Sequence, residues 1–381
     1  MTPLSLIATC ALGLEEFVAQ ELCDLGIESP TTGTAAVLFR GTWSDCWRAN
    51  WRLRTANRVL VELGRWSGHD GDALHAGARN LVRRRRDVGG LDLGRLLSPE
   101  KTLAIRATTT SSRVTDSRWA ALRVKDGLVD GQRDRHGRRS SIDRDDPDLP
   151  LRLRLHRDQA TLLLDTSGLS LDHRGYRVAT SRAPVREQIA AACVLAAEWR
   201  GGGPIADPMC GTGTLLVEAA WWAMGRAPAS LRRNFAFERL PSFEAETFAA
   251  IRAEPVPAPE PDVFLVGADR DAAAVDAARR NLDAAGLGER VELVQGDAYR
   301  LVPPPEPGLL LLNPPYGERL ESSREHWRRL GDLLKQRYAG WTAVILAGDE
   351  DRGKHLGLRP RRRVPVRNGP IDARILVVDL Y

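Results

Sequence analysis

Asn313-Pro314-Pro315-Tyr316 is the segment whose residue types ask most directly for a chemical explanation. It follows LLLL, an apolar run of strand length. Consecutive prolines continue neither a ladder nor a helix, so they fix a rigid, exposed loop with free carbonyls. An amine conjugated to an aromatic ring is a poor nucleophile because its lone pair is delocalised. The Asn313 side-chain oxygen and the Pro314 carbonyl can each accept one of its N–H bonds. That localises the lone pair and orients it, which is catalysis by position and fixed dipoles. An amide takes up no proton, so no general base is implied. Tyr316 adds a ring face on which an extruded nucleic-acid base can stack.

Three further turns supply a place for a second reactant. In ADPMCGTGTLLVEAA, Ala206–Ala220, Gly211 and Gly213 permit a tight strand-to-helix turn and keep side chains away where backbone must approach a ligand. The third glycine of a dinucleotide loop is missing and no G-K-[ST] follows, which disfavours NAD and ATP. Asp207, just before the turn, would repel a phosphate and accept hydrogen bonds from a cationic, aminated ligand. Asp269 closes the run VFLVGAD, where carboxylates take ribose hydroxyls in nucleoside-binding α/β folds. Asp271 reads as the cap of the helix AAAVDAARR. Asp297, in QGDAYR, can accept an adenine amino group or serve as an ordinary acidic turn residue.

The elements that must hold these residues are short apolar runs alternating with helices. PIAD, VFLVGAD, VELVQGD, LLLLNPP and TAVILAG predict five parallel strands of a doubly wound α/β sheet. Two last strands near Arg361–Val366 and Ile371–Leu380, joined only by a short turn, suit an antiparallel hairpin at the edge. Pro255–Pro261 (PVPAPEP) is expected to be an internal loop. The first half reads as smaller α/β units. LSLIAT and AAVLFR are strands flanking the helix Leu14–Leu25, then SDCWRANWRLRTANRVLVEL reads as helical, running into a strand near Val59–Leu63. KTLAIRATTT, PLRLRLH and ATLLLDTS are further strands, with a helix around Arg118–Gln132 and a loop at His136–Pro150.

Composition excludes several classes. The chain of 381 residues is 43% hydrophobic and 28% charged, the mix of a soluble globular protein, and has no run of apolar residues long enough to span a membrane. Its start lacks a basic region and meets Glu15 and Glu16 early, unlike a signal peptide. Five scattered cysteines never spaced C-x-x-C suggest neither disulfides nor zinc, and fit a reducing cytoplasm. No metal and no membrane contact are expected. Residues 1–180 carry 28 Lys and Arg against 23 Asp and Glu, whereas residues 181–381 carry 27 of each. The excess positive charge therefore sits in the first half, as expected if that half holds a polyanion and the second does chemistry. Arg83–Arg86 and Arg359–Arg363 are either RNA contacts or solvated arginines.

The order DPMCGTGTLL, GADRD, GD, NPPYGERL is similar to that of Rossmann-like class I amino-methyltransferases. More narrowly, the chain resembles the bacterial THUMP-domain guanine-N2 methyltransferases of 23S ribosomal RNA. GLEEFVAQEL resembles their ferredoxin-like start, and VKDGLVDGQ with the Ile142–Gly168 stretch resembles the second half of a THUMP domain. LDHRGYRVATSRAPVREQIAAA resembles the connector, and NGPIDARIL the closing hairpin. The resemblance implies a ferredoxin-like unit at 1–55, a THUMP domain at 56–166, a connector at 167–184 and a mostly parallel seven-stranded methyltransferase domain at 185–381. It implies S-adenosylmethionine as cofactor, held by Asp207, Pro208, Cys210, Gly211, Gly213, Asp269, Asp297 and Asn313. Catalysis falls to Asn313, Pro314, Pro315 and Tyr316. The implied partner is RNA, ribosomal first and transfer RNA second. A DNA amino-methyltransferase would share the Asn-Pro-Pro-Tyr loop but gives no reason for the first half, and a non-catalytic RNA-assembly protein would not need both loops intact.

Overall fold

The structure is a computed structural model and describes residues 3–84, 87–180, 185–314, 324–348 and 353–381. The first half contains β1 (Leu4–Cys10), α1 (Glu15–Asp24), β2 (Thr31–Gly33), β3 (Ala36–Gly41), α2 (Trp43–Arg52), β4 (Ala56–Ser67) and α3 (Gly71–Arg83). A small hairpin of β5 (Asp87–Val88) and β6 (Leu91–Asp92) and the single turn α4 (Leu93–Leu96) follow. β7 (Leu103–Thr110), α5 (Ser117–His136), β8 (Leu149–His156) and β9 (Gln159–Asp165) complete it. Its seven longer strands form one sheet in the order β2-β3-β1-β4-β9-β8-β7. The seam is β4, which at 12 residues is long enough to bond β1 on one side and β9 on the other.

Strand alternation decides which side of this sheet is covered. Leu4, Leu6 and Ala8 of β1, and Leu149, Leu151, Leu153 and Leu155 of β8, join a core with Phe17, Trp47, Leu74 and Val124 from α1, α2, α3 and α5. On the reverse face Ile7, Ala36, Leu60 and Leu163 form a separate cluster made of strand residues only. α3 and α5 lie against each other through glycines. A Cβ on Gly127 would stand 2.2 Å from the His75 carbonyl oxygen, and one on Gly131 would stand 2.8 Å from that of Arg79. Gly77 leaves room for the Trp66 indole in the same way.

The second half contains α6 (Glu187–Ala197), β10 (Ile205–Asp207), α7 (Thr214–Ala223), α8 (Ala245–Ala253), β11 (Leu265–Asp269), α9 (Ala272–Ala284) and β12 (Val291–Gln295). Then come β13 (Leu309–Leu312), α10 (Arg324–Arg337), β14 (Thr342–Gly348), β15 (Arg362–Asn368) and β16 (Ile371–Asp379). The sheet order is β12-β11-β10-β13-β14-β16-β15. The first five strands are parallel, and β16 pairs antiparallel with both neighbours. This is the doubly wound sheet with an antiparallel edge hairpin that the apolar runs predict, and PVPAPEP lies outside any helix or strand. The order reverses between β10 and β13, so their carboxyl ends form the crevice where ligands sit in such sheets. Among the described residues no helix is long and apolar enough to cross a membrane.

The two halves share a core. Trp47 of α2 packs on Phe237 and Phe243, and Trp51 meets Phe248 of α8 edge-on. Of the arginine cluster at 359–363, Arg362 reaches the first half through the Phe17 ring, and the ion pairs of Arg361 and Arg362 stay within the second half. Arg362 pairs with Glu198 at 2.8 Å and lies over the Phe17 ring, while Arg361 donates to the Ala197 carbonyl and pairs with Asp379. In the other cluster Arg83 reaches Asp134 at 3.8 Å, and Arg85 and Arg86 lie outside the described residues.

Deepest in the joint is Arg174, 1% exposed at its side chain, against Glu218 of α7, which is fully buried. Arg174 Nε donates to Glu218 at 3.2 Å, and its other nitrogens donate to the Leu171 and Arg54 carbonyls. The Tyr176 hydroxyl donates to the same carboxylate at 3.1 Å. Burial disfavours the Arg174 cation, but Glu218 more than offsets it and keeps the guanidinium charged. Removing only the acid strands that charge. Glu218→Ala is expected to destabilise the fold by about 3–5 kcal/mol, read as a lowered denaturant midpoint. The double change Arg174→Met with Glu218→Leu should cost less than Glu218→Ala alone.

Candidate active site

The glycine turn is built by strand–helix geometry. β10 is only three residues long, all buried, and ends at Asp207. Gly211 (φ +53°) and Gly213 (φ +79°) carry the turn through left-handed backbone into α7, which has no side-chain cap. A Cβ on Gly211 would meet nothing within 4 Å, so the turn faces open space there. A Cβ on Gly213 would touch Ala278 and Leu282 at 3.4 Å, so that glycine serves the packing of α7 on α9. Pro208 and Cys210 are buried within the turn. Burial, with the Asp207 and Asp269 carboxylates adding to it, pushes the Cys210 thiol well up, so it stays protonated.

Asp269 ends β11 beside this turn. Its Oδ2 accepts the Gly211 N–H at 3.0 Å and its Oδ1 accepts the Asp271 N–H at 3.0 Å. One carboxylate thus fixes the turn and leaves its remaining lone pairs for hydroxyl donors. Asp271 caps α9, accepting the Ala273 N–H at 3.0 Å. Asp297 follows β12, exposed, and accepts the Tyr299 N–H at 3.0 Å, the geometry of an acidic turn residue with one free oxygen.

Asp207 differs from both. Its Oδ1 accepts the Met209 N–H at 3.0 Å, while Oδ2 is buried and has no partner among the described residues. Burial raises its pKa to about 8, against the Met209 hydrogen bond and reinforced by Asp269. On the neighbouring strand β13, four fully buried leucines lead into Asn313, whose Oδ1 is likewise buried and without a partner among the described residues. Pro314 is buried behind it; Pro315 and Tyr316 lie outside the described residues. Two acceptor oxygens therefore lack donors at the carboxyl ends of adjacent parallel strands, at the switch in strand order.

A second set of side chains, not anticipated from sequence, braces the turn. Asn281 of α9 accepts the Val178 and Ala179 N–H groups at 2.9 Å each and donates to the Ala179 and Thr212 carbonyls at 3.0 Å. Arg177 donates to Glu187 at 2.7 Å and to the Thr214 hydroxyl at 3.0 Å. Together they tie the connector to the glycine turn. The available signal was a lone Asn at an apolar helical spacing, with Ala274, Ala278 and Leu282 around it.

The arrangement suits a cationic nucleoside: an unpaired buried carboxylate oxygen, a second carboxylate for hydroxyls, and backbone open at Gly211. The domain matches agree with it. Residues 174–376 match the RMKL-like methyltransferase domain. The chain belongs to the RMKL-like methyltransferases. Residues 5–60 match an RlmL ferredoxin-like domain and residues 88–165 a THUMP domain. A Synechocystis protein named as a candidate RNA methyltransferase is 35% identical over 98% of this chain and 96% of its own length. A ribosomal RNA large subunit methyltransferase K/L of Syntrophotalea carbinolica is 36% identical over 99% of the chain but only 54% of its own length. The chain thus spans about half the length of the K/L relatives it matches. A candidate methyltransferase crystallised with SAH, SMU.472, superposes with a TM-score of 0.87 at 26% identity, over 100% of this chain and 99% of that one. The cofactor of this methyltransferase is S-adenosylmethionine, which supplies an electrophilic methyl group when bound.

Asp207 gives the site a pH signature. A carboxyl with a pKa of about 8 is mostly protonated at neutral pH, and a cationic group such as the α-ammonium that SAH shares with S-adenosylmethionine favours its ionised form. SAH binding is therefore expected to release protons below pH about 8 and to strengthen as pH rises toward that value. Calorimetry in buffers of different ionisation heat measures the released fraction, and Asp207→Asn should weaken binding and flatten the profile. The sign for stability is opposite. The unfolded chain loses this proton near 3.8 and the folded one near 8, so ligand-free stability from this group falls across that interval.

Proposed function

We propose that this methyltransferase acts on RNA and methylates the exocyclic N2 amine of a guanine, in 23S ribosomal RNA. The observation that carries the reading is the donor-less Oδ1 of Asn313 beside the cofactor turn. A buried acceptor without a donor costs about 1–3 kcal/mol, so its presence calls for a ligand that brings N–H groups. A guanine amine brings two. Asn313 Oδ1 accepts one and the Pro314 carbonyl the other, leaving the lone pair directed at the methyl group. With the cofactor bound, the N–C bond would form as its sulfur–methyl bond breaks, leaving S-adenosylhomocysteine, and the amine would shed a proton to solvent, since neither acceptor is a base. Pro315 holds the loop stiff and Tyr316 stacks the extruded base.

In this reading Asp207, Pro208, Cys210, Gly211, Gly213, Asp269, Asp297 and Asn313 form the cofactor pocket. Residues 56–166 hold the RNA, 1–55 support them, 167–184 connect, and 185–381 do the chemistry. The names of the K/L relatives, which specify large-subunit ribosomal RNA, support the choice of substrate, as does the THUMP match. Such a substrate is met in the cytoplasm. A pocket that sees one flipped base cannot select among many guanines, and a separate module that holds RNA shape can.

The direct experiment incubates the protein with methyl-labelled S-adenosylmethionine and total RNA, then identifies the labelled nucleoside and its parent RNA by mass spectrometry. N2-methylguanosine in 23S RNA is expected. Label in transfer RNA alone would replace the substrate, and N6-methyladenosine would remove the guanine assignment. Asn313→Ala should lower kcat by at least about 10²–10³-fold, a far larger loss than the one in SAH affinity, because the amine-orienting bond is made only with the substrate. An active Asn313→Ala enzyme would refute the positioning role.

A further inference from the structure

The reverse face of the first sheet, the one its helices do not cover, carries a charge pattern that folding does not ask for. Register places two rows of side chains across β4, β9, β8 and β7. One row runs Glu62, Leu163, Arg152, Arg106 and the next Arg65, Thr161, Arg154, Thr108. Arg106 stands directly opposite Arg152 in the parallel β7–β8 pair. Like charges facing each other across a strand pair are destabilising. Two carboxylates soften the row: Asp165 takes Arg58 at 2.6 Å and Arg152 at 2.8 Å, and Glu62 takes Arg65. Arg106 and Arg154 have no ion pair among the described residues, and both are exposed. Arg58 registers the crowding. Burial lowers its pKa against the pull of Asp165, and Arg152 and Arg106 lower it further.

What this face lacks is as informative as what it holds. Among the described residues of these four strands no Phe, Tyr or Trp shares it and His156, at the end of β8, is its one ring, so it is poor in platforms for unstacked bases. It offers guanidinium groups and the hydroxyls of Thr108 and Thr161. Phosphate oxygens and ribose hydroxyls are the partners of such groups, and they position a nucleic acid without reading its sequence.

We propose that this face, with Arg106 and Arg154 as its unpaired cations, seats the sugar–phosphate backbone of a helical segment of the RNA substrate. The inference rests on the RNA reading above and adds where the RNA lies and which part of it is held. An incoming polyanion offsets the repulsion between Arg106 and Arg152, which explains why the pair is kept although it costs the free protein stability.

The test measures binding of a fluorescein-labelled RNA hairpin of arbitrary sequence by anisotropy across a salt series. The full chain is compared with Arg106→Ala/Arg154→Ala and with Arg118→Ala/Arg133→Ala. The latter pair removes equal charge from exposed positions of α5, on the covered side. The first variant is expected to bind at least about tenfold more weakly, with a log–log salt slope shallower by about 2. The second should match the parent. Unfolding midpoints should be unchanged or raised in the first variant, because a like-charge contact is gone. Equal losses in both variants would reduce the effect to net charge and overturn the proposal, as would no loss in either. A DNA hairpin of the same sequence bound as tightly as the RNA would overturn the choice of RNA. Methyl incorporation into total RNA, run in parallel, separates the two readings. If the parent methylates RNA and the first variant binds normally, the face is wrong and the function stands. If the parent binds through the face and labels no RNA, the function is wrong and the face stands.

Discussion

Two oxygens, Asp207 Oδ2 and Asn313 Oδ1, are buried at the ends of neighbouring strands without a hydrogen-bond partner among the described residues. Each costs about 1–3 kcal/mol, a substantial part of the margin that holds a domain folded. A chain could relieve the cost by letting either side chain rotate toward water. Asp207 is pinned through its other oxygen by Met209, and Asn313 is flanked by the buried run Leu309–Leu312 and the ring of Pro314. The sheet converts backbone order into the fixed placement of two acceptors. That is the condition for positional catalysis, because dipoles that must reorganise during reaction contribute little.

Rigidity at the strand ends would be of small use if the turn between them could move. The Asn281 amide spends all four of its hydrogen-bonding capacities on the connector and Thr212, and Asp269 spends both oxygens on turn backbone. Behind them, Arg174 and Glu218 anchor the connector to α7 while Arg174 also reaches the Arg54 carbonyl in the first half. The cofactor turn and the first sheet are thus joined through buried, fully bonded groups and through the aromatic contacts of Trp47 and Trp51. Distances between a substrate-holding surface and the reaction crevice are set by this packing.

How much of this was written locally in the chain depends on the range of the interaction. Four of the five parallel strands were legible because a strand buried on both faces must be apolar along its whole length; the edge strand β12, with Glu292, Val294 and Gln295 exposed, showed itself only by its place in the strand–helix alternation. The glycine turn between β10 and α7 was legible because it states a local backbone demand, whereas the roles read into Asp207, Asp269 and Asn313 belong to the proposal, and Pro315 and Tyr316 lie outside the described residues. The continuous first sheet was not. Nothing in the periodicity of β4 says that its two edges bond strands as distant as β1 and β9, or that β7 and β8 run parallel. α3 escaped notice although Leu74, Ala78, Leu81 and Val82 keep helical spacing, because Gly71 and Gly77 lower its intrinsic propensity. Those glycines answer to Trp119 and Trp66, which are contacts made only in the folded chain. Asn281 and Arg177 were hidden for the same reason: a polar residue announces its role only through its partners.

The arginines show why composition could not decide between RNA contact and solvation, and what the ion pairs of the fold add to the question. Arg361 and Arg362 come from a dense basic run, yet they are spent on Glu198, Asp379 and the Phe17 ring. Arg106 and Arg154 come from unremarkable strand sequence, where alternation alone would make them exposed filler. What distinguishes them is register. In a strand pair, a cation directly opposite another cation raises the energy of the free protein, and no nearby carboxylate answers Arg106. A cluster along the chain can be neutralised by whatever the fold brings to it. An unneutralised cluster across strands is open to an opposite charge from outside the chain, so excess charge is informative after the ion pairs have been subtracted and not before.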